Sequence, residues 1–444
     1  MKNLISPRTI YKLTVLLTVV LTLSSCEKKP GDKELTFPNY RVSSVLNLKP
    51  NEVTISINPL NPDNIIVGSN LNWIYTSFTG GTTWSENVMI SPVMGVHGDP
   101  VVLFDHLGNA YYGHLSNPEG PVIADQMVVQ KSADGGQTWD IGIGVGLHGE
   151  KLQDKEWLEA DMTNSVYKGN LYMAWTEFDK YESALPEDKS RIRFSYSSDH
   201  SGTWSEPIVI SDTEGDCLDG DNTMEGAVPS VGPDGQIYIA WSGPEGIYFD
   251  KSLDGGHTFG TDRILSDIPG GWAFSVPEIY RCNGLPFTAC DISDSEYKGN
   301  IYICWSDQRN GNSNTDIFLM KSSDGGNTWS QRMRVNDDNT QTHQFFHNIT
   351  VDPLTGIVYI VYYDRGRTGT FDTEVRLSRS VDGGDTFTSY KISEDSFLPT
   401  GTVFFGDYID IAAYNSCIYP VWMTLNEGTM SVLIARIEEA DFIE

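Results

Sequence analysis

The chain has few basic residues: 30 Lys and Arg stand against 60 Asp and Glu, which gives a formal net charge of −30 at pH 7. Nucleic acid is excluded as a predicted partner, because so acidic a surface repels a phosphate backbone. Any anionic ligand would need a local basic pocket. After residue 23 no apolar run is long enough to span a membrane, and no segment has the periodicity of a convincing amphipathic helix. These absences favour an all-β chain that does not cross the bilayer.

The N-terminal residues have the pattern of an export signal. An apolar run at 13–23 follows three basic residues, Lys2, Arg8 and Lys12. The run is too short to span a bilayer. The run leads into Leu-Ser-Ser-Cys, which resembles a bacterial lipobox and implies that Cys26 becomes the acylated first residue. The alternative is an ordinary signal peptide that contains a cysteine. We predict a lipoprotein signal at 1–25, a tether at 26–37 and one domain at 38–444, held to the outer membrane or cell surface only through lipid.

Cysteine is scarce, with six residues in the whole chain. An exported location permits disulfides. Cys282 and Cys290 flank a short loop and are the predicted pair, although Cys217 competes for either. The odd number that remains after Cys26 leaves at least one thiol free, and Cys304, in an apolar strand, is predicted to be a buried hydrophobe.

Six eight-residue segments share the pattern Ser-x-Asp-x-Gly-x-Thr-Trp or a close variant. They lie at 77–84, 132–139, 197–204, 252–259, 322–329 and 380–387. The first has Thr79 in place of Asp, and the third has Ser201 in place of Gly. The pattern resembles the Asp box of the sialidase-like (BNR-repeat) propellers, and six copies make the resemblance specific. It implies a β-propeller over nearly all of the chain after the tether, and a protein that handles glycans.

The residue types of the box account for a structural turn. Asp and Ser side chains hydrogen-bond the backbone of a tight turn, Gly supplies a positive φ, and the aromatic residue begins the next strand and packs inward. We therefore interpret the box aspartates as turn residues, not as catalytic groups.

Strands with alternating and β-branched residues surround each box and predict four-stranded units. The innermost strands are predicted to start near Glu52, Asp99, Glu156, Glu225, Val276, Gln344 and Asp407. The last unit lacks a box and a fourth strand, and the segment 40–46 can supply that strand and remove the open sheet edge. The sequence predicts an all-β, seven-bladed β-propeller. The alternative is a six-bladed, sialidase-like propeller with the residues after 400 folded against one face.

Charged residues concentrate in the loops that lead into the innermost strands and in those that follow the second strands. Both sets are predicted on the face away from the boxes, around the central channel. Carboxylates and a histidine there can perform acid–base chemistry. The predicted catalytic residues are Asp99, Glu156, Glu225, Asp407, Tyr408 and His343.

Two Asp-Arg pairs follow second strands, where an Arg fork can bind a sugar hydroxyl or acid group. The predicted substrate-binding residues are Asp307, Arg309, Asp364, Arg365 and Gln344. The alternatives are salt bridges between loops for the Asp-Arg pairs and packing for His343. No cofactor is required, but Asp219 and Asp221, in an acidic loop at 212–221, are candidate Ca²⁺ ligands. A solvated acidic loop is the alternative.

The resemblance to sialidases does not extend cleanly to their active site. Sialidases hold a substrate carboxylate with three arginines, the first in an Arg-Ile-Pro motif, and use a tyrosine nucleophile. This chain has Glu52-Val53-Thr54 at the place of that motif, and a Glu there repels a sialic acid carboxylate. We therefore predict a glycoside hydrolase-type enzyme that is not a strict exo-sialidase and acts on an extracellular glycan or glycoprotein. The alternatives are a non-catalytic glycan- or protein-binding propeller and a polysaccharide lyase, because fold alone does not decide function.

Overall fold

The computed structural model describes residues 35–46, 49–119 and 123–442. The predicted signal at 1–25, the lipidation site Cys26 and most of the predicted tether lie outside these residues. The described chain forms seven antiparallel sheets in a ring, which confirms the seven-bladed β-propeller. Among these residues no helix has the length and apolarity needed to cross a membrane.

Blades 1 to 6 each consist of four strands in sequence order, from the channel outward. Blade 1 contains Thr54–Ile57, Ile65–Ser69, Trp73–Ser77 and Ser85–Val88. Blade 2 contains Gly98–Phe104, Ala110–Leu115, Met127–Ser132 and Ile143–Val145. Blade 3 contains Leu152–Ala160, Leu171–Phe178, Ser190–Ser197 and Ile208–Val209.

Blade 4 contains Glu225–Val231, Ile237–Gly243, Gly246–Ser252 and Arg263–Ser266. Blade 5 contains Phe287–Cys290, Ile301–Asp307, Asp316–Ser322 and Met333–Arg334. Blade 6 contains Gln344–Val351, Val358–Asp364, Glu374–Ser380 and Thr388–Lys391.

Blade 7 is closed by the N-terminal part of the described chain. Its inner strands are Asp410–Tyr414, Cys417–Asn426 and Thr429–Ala435, and Asn39–Arg41 pairs with the last of them as the fourth strand. Ile437–Glu438 adds to the second strand, and a short 3₁₀ helix, Glu439–Phe442, follows. The closing segment is anchored in the core by Phe37 and Val42, which are 3% and 4% exposed. The predicted closure by the N-terminal strand is confirmed.

The sequence prediction was wrong at blade 5. Its innermost strand begins at Phe287, not near Val276, because a two-stranded hairpin precedes it on the mouth side of the ring. The hairpin pairs Ala273–Phe274 with Cys282–Asn283. Its apolar residues, such as Val276 at 3% exposure, produced the strand-like pattern.

The predicted disulfide between Cys282 and Cys290 is also corrected, since both thiols are free. Cys282 belongs to the inserted hairpin and Cys290 ends the innermost strand of blade 5. The two side chains are buried in different clusters of the core, which contain Phe345 and Trp305 respectively. The extended strand between them holds the two sulfurs apart. Cys304 is fully buried, as predicted.

The core repeats from blade to blade because each second strand is buried on both faces. Four second strands carry a fully buried tryptophan: Trp175, Trp241, Trp305 and Trp422. Apolar side chains on both faces of these strands pack each sheet against its neighbours, and their burial gives the ring most of its stability.

The repeated eight-residue turns join third and fourth strands. In blade 2, Asp134 accepts hydrogen bonds from the backbone amide and hydroxyl of Thr138 at 2.8 and 2.6 Å, and Gly136 donates to the Ser132 hydroxyl at 2.9 Å. The turn also contacts the preceding blade, where Asn64 donates to the carbonyl of Gly135 at 3.0 Å. These turns stabilise hairpins and the seams between blades, on the face opposite the mouth.

We expect Asp134→Ala to lower the free energy of unfolding by about 1–2 kcal/mol near neutral pH. Partial burial opposes ionisation, but the hydrogen bonds from Thr138 and Ser132 lower the pKa of Asp134 to about 2. A lowered pKa in the folded state stabilises the fold above the unfolded value, near 3.9, and this contribution disappears as the pH falls toward 2. Denaturant unfolding across the acid range measures the effect. The exposed Asp395→Ala is the control, and equal losses from both variants would contradict the role of the turn.

Candidate functional site

The chain enters the innermost strands with a left-handed backbone. Six of the seven blades have a residue of positive φ at this place: Glu52 (53°), Asp99 (55°), Lys155 (55°), Gly226 (75°), Phe346 (48°) and Gly406 (87°). Four innermost strands also have a register shift close to this residue. Bulges of this kind redirect side chains, and positive φ at non-glycine residues is costly and clusters at functional sites. The repeated bulge turns acidic side chains toward the mouth of the channel.

Seven carboxyl groups from five blades surround this mouth, and we call them the carboxyl arc. In ring order from blade 7 they are Asp407, Glu52, Asp99, Glu156, Asp154, Asp219 and Glu225. Successive members are close enough to perturb each other's ionisation. Burial, followed by the charges of Asp99 and Asp407, raises the pKa of Glu52 well above its usual value. So many carboxyls at close range cannot all be ionised at neutral pH.

Arg281 closes the arc between blades 4 and 7. Its guanidinium donates to both carboxyl oxygens of Asp407, through Nε at 2.9 Å and through Nη2. Its Nη1 lies 3.7 Å from Asp219, which also accepts a hydrogen bond of 2.5 Å from Tyr181. A bidentate guanidinium binds a carboxyl group in a fixed orientation, so Arg281 fixes the position of Asp407.

Glu225 lies beside Asp219 and is bonded to it. Burial raises its pKa well above the usual value, and the charges of Asp219 and Asp154 raise it further. The raised pKa favours the protonated form of Glu225. The arc therefore places Glu225, beside Asp219, and Asp407, bound by Arg281, on the two sides of the guanidinium.

Glu156 is the most isolated member of the arc. It is 2% exposed, and neither of its carboxyl oxygens has a hydrogen-bonding partner on another described residue. Burial raises its pKa well above the usual value, and the nearby charges of Asp99 and Asp154 add to the rise. Polar groups buried without a partner are rare and costly in folded proteins.

Glu156→Gln is expected to stabilise the fold near neutral and alkaline pH by about 1–3 kcal/mol, because a buried glutamine is neutral without having to take up a proton. A raised pKa means that the folded state keeps a proton that the unfolded state has lost. Wild-type stability therefore falls as the pH rises above the unfolded value, near 4.3. Glutamine does not titrate, so its stability has no such pH dependence. The stability gained by the variant over the wild type is therefore small at pH 4 and grows toward pH 8. Thermal unfolding at several pH values tests this. The exposed Glu150→Gln should show no gain.

An aromatic floor separates the mouth from the channel beneath it. Trp157 packs edge-on against Phe287 and Tyr408, with ring centroids 5.1 and 5.8 Å apart, and His347 packs on Phe287 at 5.7 Å. Below the floor the innermost strands of all seven blades line a cavity of about 660 Å³. Above it, the Lys155 ammonium lies 3.8 Å from the centroid of the Tyr408 ring.

Five of the six predicted catalytic residues lie at this mouth: Asp99, Glu156, Glu225, Asp407 and Tyr408. Tyr408 belongs to the floor, is 2% exposed, and donates to the Pro100 carbonyl at 3.4 Å. Burial, and then the charges of Asp99 and Glu52, raise its pKa well above 10, which opposes a phenolate nucleophile. His343 is not brought to the arc. It is bonded to Thr315 at 2.9 Å, and burial with the charge of Arg365 lowers its pKa to about 4.

The structure does not bring the predicted substrate-binding residues of blade 5 to the carboxyl arc. Asp307 is fully buried and accepts hydrogen bonds from Trp305 and Arg309. Arg309 continues to the carbonyl of Asp267 at 2.9 Å. The pair joins adjacent loops, which matches the alternative of a salt bridge between loops.

The predicted substrate-binding residues of blade 6 are likewise engaged within the fold. Gln344 donates to Asp364 at 2.7 Å. Arg365, 1% exposed, donates to Thr373 and to the Pro277 carbonyl at 3.0 and 2.7 Å. The sequence pattern identified charged residues here, but burial and pairing give them a structural role.

The two predicted Ca²⁺ ligands are separated. Asp219 belongs to the carboxyl arc, whereas Asp221 accepts a hydrogen bond of 2.8 Å from the amide of Ala273 in the inserted hairpin. Among the described residues, no group of three or more His, Cys, Asp or Glu side chains is placed to hold a metal ion.

Five polar residues of the mouth were not predicted as site residues: Glu52, Asp154, Lys155, Tyr181 and Arg281. Asn70 donates to the Glu52 carboxylate and accepts a hydrogen bond of 2.8 Å from the Asp99 amide. Glu52 occupies a place equivalent to that of Asp99, so comparison of the blades could have identified it. Arg281 lies in the inserted hairpin, which has no counterpart in the repeat.

No family model matches the sequence, and no curated protein matches it. Among solved structures, the NanB sialidase of Streptococcus pneumoniae superposes with a TM-score of 0.51 at 9% identity, over 86% of this chain and 84% of that one. The Hadza microbial sialidase Hz136 gives 0.48 at 13% identity, over 86% and 74%. A Dyadobacter fermentans protein described as of unknown function gives 0.48 at 12%, over 92% and 100%. The fold is that of the sialidase-like β-propellers.

Proposed function

We propose that the protein is a glycoside hydrolase-type enzyme whose reaction takes place at the carboxyl arc. One observation carries the proposal: Glu225, whose pKa is raised by burial, and Asp407, which Arg281 binds through both oxygens, face one mouth and are linked through Asp219 and Arg281. Glycosidic bond cleavage needs a carboxylic acid and a carboxylate on the two sides of the reacting carbon. The arrangement supplies both from separate blades.

The chemistry assigns opposite roles to the two groups. Glu225 gives its proton to the glycosidic oxygen as the bond to the anomeric carbon breaks. Asp407 stabilises the positive charge that develops on the sugar and takes the proton of the water that replaces the leaving group. Arg281 is a positioning residue, since it holds Asp407 and contacts Asp219. Water and the glycan are the only reactants.

The charge of the mouth distinguishes this proposal from sialic acid hydrolysis and from lyase chemistry. Both reactions need cationic groups to bind or neutralise a substrate carboxylate. Within the described part of the arc the single guanidinium, Arg281, is engaged by Asp407. The sequence resemblance puts Glu52 at the place of the first arginine of sialidases. The raised pKa of Tyr408 also opposes a tyrosine nucleophile. A neutral or basic glycan suits the site better than an acidic one.

The test is an assay of the purified protein on neutral, amino and acidic glycans, with detection of new reducing ends and of unsaturated uronates. New reducing ends without unsaturated products support the hydrolase. Unsaturated products would instead establish a lyase, and binding without cleavage across the panel would establish a binding propeller. Chelation of divalent cations is expected to leave cleavage unchanged, since the proposed reaction needs no metal.

We also propose that the protein is exported and held in the bacterial envelope by a lipid on Cys26, so that it meets extracellular glycans or glycoproteins. The proposal is supported by the basic, apolar and lipobox-like order of the first 26 residues. Cys26→Ser is expected to move the protein from the membrane fraction to the soluble fraction. Unchanged membrane attachment of that variant would contradict the lipid anchor.

A further inference from the structure

The carboxyl arc has far more acidic groups than cationic partners. Its seven carboxyls face two cations, Lys155 and Arg281. Arg281 is occupied by Asp407 and Asp219, and the Lys155 ammonium lies over the Tyr408 ring. In the described structure, no Lys or Arg side chain forms an ion pair with the remaining five, which are Glu52, Asp99, Asp154, Glu156 and Glu225.

Unpartnered oxygen atoms occur within this acidic excess. Glu156 is 2% exposed and has neither carboxyl oxygen bonded to another described residue, and Glu225 is 6% exposed with Oε2 unbonded. Asp99 and Asp154 perturb Glu156 directly, so these oxygens belong to the arc and not to a separate part of the core. Buried acceptors of this kind are satisfied by a ligand that brings hydrogen-bond donors.

We propose that the arc binds a protonated amine of the substrate, so that the glycan is an amino sugar whose nitrogen carries no acetyl group. The inference rests on the proposed function for its choice of a sugar. An ammonium group has three hydrogen-bond donors and one positive charge. It therefore suits several carboxyl oxygens that have neither a donor nor a cation as a partner. An N-acetyl group brings one donor and no charge, and an acidic sugar adds a repelling charge.

A sugar ammonium fits better than a metal cation. The described residues contain no metal-holding group of three or more His, Cys, Asp or Glu side chains. A divalent ion needs six or more oxygens at short and regular distances, whereas an ammonium accepts a looser set of acceptors. The left-handed backbone at Glu52, Asp99 and Lys155 fixes the positions of the acceptors in advance.

Calorimetric titration of the full-length protein tests the proposal near neutral pH. The probes are glucosamine oligomers, the same oligomers fully N-acetylated, and calcium chloride. We expect the amine form to bind at least about tenfold more tightly than the acetylated form. Glu156→Gln, which should fold at least as well as the wild type, is expected to remove most of this preference. The exposed Glu150→Gln should retain it.

Each outcome decides the inference separately from the proposed function. Equal or tighter binding of the acetylated oligomers overturns the ammonium site, and cleavage of those oligomers would leave the hydrolase intact. Calcium binding without an oligomer preference overturns it as well. Tight, Glu156-dependent binding of the amine oligomers with no cleavage of any glycan supports the ammonium site and overturns the hydrolase.

Discussion

Glu225→Gln and Asp407→Asn are each expected to lower kcat on the cleaved glycan by a factor on the order of 10² to 10⁴, the usual contribution of an acid–base group. Glutamine keeps the shape of Glu225 but has no proton to give to the leaving oxygen. Asparagine keeps the shape of Asp407 but neither stabilises the developing positive charge nor takes up a proton. Because both act on the chemical step, KM should change much less than kcat. Steady-state kinetics with purified variants measures the effect.

The same blade provides a control for Glu225. Glu245→Gln changes an exposed residue in the turn after the second strand of blade 4, and kcat should stay at the wild-type value. Circular dichroism and thermal unfolding establish that each variant is folded. Full activity in both Glu225→Gln and Asp407→Asn would place the chemistry elsewhere. If only Glu225→Gln remains active, another protonated carboxyl of the arc is the acid.

Val42→Asp is expected to lower the free energy of unfolding by about 3–5 kcal/mol, because it puts an uncompensated charge into the seam that closes the ring. Val42 is 4% exposed, and its amide donates to the carbonyl of Val432 at 2.9 Å. The substitution separates the fourth strand of blade 7 from the third, and an opened ring exposes sheet edges. Denaturant unfolding measures the loss.

Val45→Asp is the matched control for the closing strand. Val45 lies three residues further along the same segment and is 70% exposed, so the same substitution should change stability by less than about 0.5 kcal/mol. Similar losses at both positions would show that charge in this segment, and not closure of the ring, determines stability. No loss at either position would show that blade 7 is stable without the N-terminal strand.

Much of the fold could be predicted from the sequence because each blade repeats the same physics. Ser, Asp and Gly at fixed spacing specify the turn, and alternating apolar residues specify the strands on both sides. The closing strand is predictable because the segment 40–46 has no place in blade 1, which follows it, and because the last unit of the sequence has no fourth strand of its own. Blade 5 was misplaced because the inserted hairpin has buried apolar residues, such as Val276, of the kind found in strands.

The site was predictable only where it follows the repeat. Asp99, Glu156 and Glu225 are predicted near the starts of innermost strands, and that position alone predicts them at the mouth. His343 and Arg365 occupy similar places in the sequence, but their pairing with Thr315 and with the Pro277 carbonyl depends on contacts between different segments of the chain. The same limit applies to Arg281, whose importance depends on reaching Asp407 across 126 residues of chain.

The aromatic floor has a consequence for how a long polymer could be processed. Trp157, Phe287 and Tyr408 pack together at the bottom of the mouth. Under the proposed function, these rings would prevent a glycan chain from threading through the ring, so the substrate would enter and leave by the same opening. We therefore expect the enzyme to cleave chain ends or short branches, one unit at each binding event.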